Sequence, residues 1–186
     1  MQATKQTKFI LAIALQVFII FAIVVFKMAV LAGGTEVLLK VEPVDPRDIL
    51  RGDYARFQYD ISDLNLYLFD NQQVRNGDTV YVILRQNGKY WTAQKVQTTK
   101  PTADGQVFIK GRVASGGLES QAEFFPRDRF QGFHVRVVYG IEEYYIPEGS
   151  GHGVDFWNAE AAAKVAVDAN GNAALKQIYV NGKPWP

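Results

Sequence analysis

The feature that most limits what this chain can fold into is an uninterrupted apolar run from Phe9 to Phe26. Its eighteen residues contain no charge and no proline, and only Gln16 is polar. As a helix rising about 1.5 Å per residue the run covers roughly 27 Å, close to the hydrocarbon thickness of a bilayer. A helix that is apolar all round has no face to show water, so a membrane span is expected rather than the core helix of a soluble protein. Lys27 closes the run before apolar character resumes at Met28-Ala29-Val30-Leu31-Ala32. Its long stem can carry the ammonium to the headgroups. Lys5 and Lys8 precede the run, and no acid occurs before Glu36. That basic flank predicts an N-terminus in the cytoplasm and the remainder of the chain outside. The expected organisation is a cytoplasmic tip and signal-anchor helix over residues 1–32, followed by an extracytoplasmic domain over 33–186. The host would be the inner (cytoplasmic) membrane, crossed once. A cleaved signal peptide ending near Val30-Leu31-Ala32 is the alternative. The apolar core exceeds the roughly 7–15 residues of a secretory signal, which favours retention.

The exported part is long enough to bury a core of its own. Three of the 20 Lys and Arg residues, and none of the 19 acids, lie in the N-terminal segment, which leaves the domain at −2 formally. A near-neutral exported domain is not expected to meet nucleic acid. The absence of cysteine excludes disulfides, thiol catalysis and thiolate metal sites. Stability must then come from a hydrophobic core.

Beyond residue 34 the pattern is that of strands. Glu36 to Val41, Tyr54 to Ile61, Val80 to Leu84, Tyr90 to Ala93, Val107 to Val113, Phe133 to Val137, Lys164 to Asp168 and Ala174 to Val180 are all rich in β-formers or alternate apolar with polar. Phe57, Tyr59 and Ile61 share one face of their run; Arg56, Gln58 and Asp60 take the other. Asn87-Gly88 and Asn170-Gly171 are hairpin signals. The spacing predicts a mostly antiparallel β sandwich or barrel-like domain. One short helix is expected between Val154 and Ala163, where helix-favouring residues gather. Phe124-Phe125-Pro126-Arg127-Asp128-Arg129-Phe130 mixes apolar and basic residues. It is read as a loop with its Phe side chains tucked into the sheet, or else as a membrane- or partner-facing surface.

Between the runs that end at Val41 and begin at Tyr54, Pro43 and Pro46 force a corner, and Asp45 before Pro46 suits a turn. Asp45 with Arg47, or Arg51 with Asp53, can pair across it, and Gly52 can supply a positive-φ position before the next strand. Gly52-Asp53-Tyr54-Ala55-Arg56-Phe57-Gln58-Tyr59 resembles the G-D-Y-x-x-L-x-Y signature of the GDYXXLXY family, with Phe57 in place of the leucine. The lead-in from Pro43 to Arg51, the stretches Tyr139-Gly140-Ile141-Glu142 and Tyr145-Ile146-Pro147-Glu148-Gly149, and the last hairpin extend the likeness over nearly the whole chain. The resemblance implies a membrane-associated bacterial protein and implies no particular activity. It singles out Asp45, Arg47, Arg51, Gly52, Asp53, Tyr54, Phe57, Tyr59, Tyr139, Gly140, Glu142 and Glu148 as motif or interaction residues.

A looser likeness is to type I signal peptidases, which also combine an N-terminal anchor with an exported β domain. Glu42-Pro43, Gly52-Asp53 and Gly77-Asp78 echo their layout. Lys40 stands where the nucleophilic serine belongs, and no Ser or Thr lies between Thr35 and Ser62. A Ser/Lys dyad needs a hydroxyl beside its base, so that chemistry is not expected.

Other constellations are sparse. His134 falls on the strand face opposite Val135, and His152 sits in the run Gly149-Ser150-Gly151-His152-Gly153. A site from His152, Asp155 and Glu148 is conceivable, but no metal and no cofactor are expected. Asp53, Glu142 and Glu148 would be the catalytic carboxylates of an envelope hydrolase if they converged on one bond. The alternative is that Glu142 and Asp53 satisfy buried backbone donors, Arg or Tyr groups. The reading favoured is a membrane-anchored structural or interaction domain whose partner is another membrane or envelope protein. The hydrolase is its rival.

Overall fold

A computed structural model describes residues 4–42, 54–70, 72–102, 105–116, 134–145 and 159–185. Helix α1 (Lys5–Gly33) starts at Thr4, whose hydroxyl accepts a bond from the Thr7 amide at 3.3 Å. The large apolar side chains from Phe9 to Met28 are 47–68% exposed, so the domain does not cover them. The helix is long and apolar enough to cross a membrane. It ends because Gly34 turns extended, although the Gly34 amide still reaches the Val30 carbonyl at 3.0 Å.

Among the described residues twelve strands follow, all paired antiparallel. They are β1 (Thr35–Glu42), β2 (Tyr54–Arg56), β3 (Gln58–Tyr59), β4 (Asp63–Asn65), β5 (Thr79–Asn87), β6 (Tyr90–Gln97), β7 (Phe108–Ser115), β8 (His134–Val138), β9 (Glu143–Tyr145), β10 (Ala161–Val167), β11 (Ala173–Val180) and β12 (Lys183–Trp185). One five-stranded sheet has the order β12-β11-β10-β1-β3 and the other β4-β8-β7-β5-β6; β2 and β9 form a ribbon of their own. A single 3₁₀ turn, Leu66–Phe69, is the other helical element among the described residues.

The alternation seen in sequence sets the faces. Val37, Leu39 and Val41 of β1 are buried while Glu36 and Lys40 are exposed. Val80 and Val82 of β5, Ile109 and Val113 of β7, and Val135 and Val137 of β8 join them in one contiguous core, with Phe57, Tyr59 and Ile61. Burying these side chains is the main force holding the sheets together. The expected hairpins form at Gly88 and Gly171, both at positive φ.

The helix expected between Val154 and Ala163 is corrected. Ala161, Ala162 and Ala163 open strand β10, and residues 154–158 lie outside the described residues. Six of the seven β10 residues are buried, so both faces of the strand are covered. A strand in that position needs small side chains, and alanine supplies them despite its helix propensity. The last turns of α1 lie against β10 and β11, and Val30 is 2% exposed there.

The approach of helix to sheet depends on Gly34. A Cβ on it would stand 2.7 Å from the Val30 carbonyl oxygen and 2.9 Å from the Val167 amide nitrogen, both backbone atoms that cannot swing aside. Gly34→Val is therefore expected to destabilise the chain by about 1–3 kcal/mol, the usual range for overpacking. Thermal unfolding of the full chain in detergent checks this. An unchanged midpoint would mean that helix and sheet do not meet as closely as described.

Candidate functional site

Residues 54–65 pass through all three β layers in one short stretch. Tyr54–Arg56 pairs with β9, Gln58–Tyr59 with the end of β1, and Asp63–Asn65 with β8. The sequence reads as one alternating strand, yet Phe57 interrupts it and the two halves take different partners. The face is kept through the break: Phe57, Tyr59 and Ile61 are buried, and Gln58 and Asp60 are half-buried on the other side.

This stretch is tied to residues 137–142 by a set of hydrogen bonds. The Phe57 amide donates to the Glu142 carbonyl at 2.7 Å and the Val137 amide to the Ser62 carbonyl at 2.8 Å. Two buried tyrosines complete the crossing reciprocally. Tyr59 Oη donates to the Ile141 carbonyl and Tyr139 Oη to the Ile61 carbonyl, each at 2.5 Å. Burial, and after it the negative charge of Glu142, pushes both phenols above their ordinary pKa. Both therefore keep their protons and remain donors.

Glu142 itself holds the turn opposite. Its Oε1 accepts from the Tyr139 amide at 2.5 Å, and its Oε2 from the Gly140 and Ile141 amides at 2.8 and 3.0 Å. Folding three successive amides around one carboxylate needs a left-handed residue, and Gly140 supplies it at φ 75°. Phe57 packs edge-on against Trp185 of β12, with ring centroids 6.1 Å apart. Beside this crossing lies a cleft of 560 Å³, bordered by Arg56, Gln58, Arg136, Gly140, Glu142 and Glu143 among the described residues. Arg56 and Glu143 form an exposed ion pair at 3.2 Å across the β2–β9 ribbon.

The fold thus brings together Phe57, Tyr59, Tyr139, Gly140 and Glu142. Tyr54 joins them through its backbone pairing with Tyr145. Asp45, Arg47, Arg51, Gly52, Asp53 and Glu148 lie outside the described residues, as do His152, the corner at Pro43–Asp53 and the Phe124–Phe130 loop. Of the three carboxylates of the hydrolase reading, Glu142 alone is described, with both oxygens engaged by backbone amides. His134 is exposed on β8, as its place in the alternation predicts. Among the described residues no group of three His, Cys, Asp or Glu side chains is placed to hold a metal.

One residue escaped sequence reasoning. Asp60 is half-buried, and its Oδ1 is shielded from solvent without a hydrogen-bond partner among the described residues. Burial first, then the nearby Glu42 charge, pushes its carboxyl up from 3.8 to about 6. The available signal was its position beside the core-facing Tyr59 and Ile61, at the point where the chain leaves β3.

The sequence profile of a family described as GDYXXLXY protein matches residues 16–178 of the 186-residue chain. Neither a curated protein nor a solved structure matches it.

Two outcomes follow from this geometry. Tyr59→Phe leaves the Ile141 carbonyl buried without its donor, and should cost about 1–3 kcal/mol in chemical denaturation. Tyr90→Phe, which loses only an exposed bond to Glu160, should stay within about 0.5 kcal/mol of the parent. Equal effects would remove the Tyr59 bond from the account. For Asp60, the folded chain holds the proton more tightly than the unfolded one. Its contribution therefore favours folding below about pH 4 and is lost as pH rises through about 6. Asp60→Asn should raise the melting temperature relative to the parent at neutral pH and leave it unchanged in acid. A gap that is the same at both pH values would contradict this.

Proposed function

The chain belongs to the GDYXXLXY family, and we propose that it is a single-pass protein of a bacterial cytoplasmic membrane whose β domain stands outside and docks another membrane or envelope protein. The exposed apolar surface of α1 supports the anchor, because only lipid would cover such a surface favourably. The basic residues before it and the absence of acids up to Glu36 support an N-terminus inside.

The observation that carries the interaction reading is where the motif's polar groups point. Tyr59, Tyr139 and Glu142 all bond to the chain's own backbone. These bonds hold the domain together. What they build is a rigid wall of the 560 Å³ cleft, whose rim carries Arg56, Arg136, Gln58 and Glu143. A rim of both charge signs suits a protein segment of mixed charge.

An amine-reactive crosslinker that cannot pass the membrane, added to intact cells, tests both parts. A discrete adduct heavier than the chain, lost when Arg56 and Arg136 are changed to Glu, is the expected result. Modified chain recovered only as monomer would overturn docking. Chain that stays unmodified until the cells are opened would overturn the outward orientation.

A further inference from the structure

A second cleft, of 500 Å³, lies where the helix meets the domain. Phe26 and Lys27 of α1 form one side of it, and Thr79, Lys110, Arg112 and Asn172 form part of the other. Lys110 and Arg112 are two apart on β7 and both exposed, so they project from the same face of the sheet. No carboxylate borders this cleft among the described residues. Lys27, Lys110 and Arg112 take part in no ion pair among the described residues. The acids within four positions of the lining, Asp78, Glu142, Glu143 and Asp168, are turned to other work: Glu142 accepts from the Tyr139, Gly140 and Ile141 amides and Glu143 pairs with Arg56. Asp78 accepts from the Arg75 amide, and Asp168 accepts from the Asn170 and Asn172 amides and the Asn172 side chain.

The depth of this cleft is set by the helix. Lys27 directly follows the apolar run, and Phe26 is its last residue. In a spanning helix the Lys27 ammonium lies among the headgroups and the Phe26 ring at the top of the acyl chains. Lys110 and Arg112 share the cleft with both, which places these cations at headgroup level as well. Three cations beside an apolar wall at that depth match one chemistry: a phosphate attached to acyl chains. A zwitterionic headgroup would add its own cation to the three, whereas an anionic one would not.

We propose that the cleft between α1 and β7 binds the phosphate of an anionic phospholipid through Lys27, Lys110 and Arg112, and so fixes how the domain stands on the membrane. This rests on the reading of α1 as a membrane anchor and holds for either orientation. It assigns Lys110 and Arg112 a role that their exposed strand positions alone do not suggest.

The test uses the full chain, reconstituted into vesicles of phosphatidylcholine with a minority of phosphatidylglycerol, extracted in a mild detergent and weighed with its retained lipid by native mass spectrometry. Preferential retention of phosphatidylglycerol is expected. The preference should fall about fivefold for each cation removed in Lys110→Gln and Arg112→Gln. Arg112→Lys should keep it. Arg85→Gln, six residues along β5 from Thr79 and so about 20 Å away, should also keep it. Equal retention of the two lipids, or an equal loss in Arg85→Gln, would overturn the site. Displacement of the lipid by inorganic phosphate would show a pocket for free anions and overturn the lipid assignment. A chain that fails to enter vesicles at all would instead overturn the anchor.

Discussion

Two phenol hydroxyls, each reaching a carbonyl on the other's strand segment, hold the crossing on which this domain depends. Tyr59 meets Ile141 and Tyr139 meets Ile61 in the dry interior between the sheets. A buried carbonyl without a donor costs about 1–3 kcal/mol, so each bond matters more for what its loss leaves behind than for its own strength. The two bonds tie the same pair of segments, 57–62 and 137–142, which the backbone bonds from Phe57 and Val137 also join. Through these segments the β2–β9 ribbon, the β1-containing sheet and the β8-containing sheet are held to one another. Glu142 keeps its turn in the shape that presents the Ile141 carbonyl, because three amides converge on its carboxylate.

This arrangement separates construction from recognition. The polar side-chain atoms of Tyr59, Tyr139 and Glu142 bond to the chain's own backbone. Two clefts lie beside them among the described residues, one bordered by Arg56 and Arg136 and one by Lys27, Lys110 and Arg112. Glycine and tyrosine at 139–140 border the second cleft, and Gly140 borders both, so one turn shapes two surfaces. Fold alone does not name an activity, and here the motif is bound up with the fold.

Much of the architecture was legible because it rests on simple periodicity. The eighteen-residue apolar run reads directly as a helix long enough to cross a membrane, and period-two alternation gave the inward faces of Phe57, Tyr59 and Ile61 and of Val135 and Val137. The hairpin turns at Gly88 and Gly171 announced themselves through the left-handed conformation glycine tolerates. What was not legible depends on tertiary partners. The break at Phe57 is invisible in a pattern that keeps the same buried face on both sides of it. Ala161–Ala163 looked helical because propensity is local, whereas their burial on both faces of β10 is decided by neighbours far along the chain. Asp60 looked like a solvent-facing strand residue until Glu42 and the sheet edge closed around it. For Glu142 the sequence allowed a catalytic or a structural carboxylate, and its bonds to the 139–141 amides depend on a turn that the sequence does not display. The basic cleft was hidden for the same reason: Lys27 and Lys110 are 83 positions apart, and no periodicity links them.

The central claim is that residues 57–62 and 137–142 act as one clasp that opens only when the domain unfolds. Native-state hydrogen exchange at the Phe57 and Val137 amides tests it most directly, since these are the two backbone donors of the crossing. Both amides are expected to exchange with the free energy of global unfolding, together with the central strands β1, β5 and β7. Exchange of either amide through a local opening well below that value, with the sheets still protected, would contradict it.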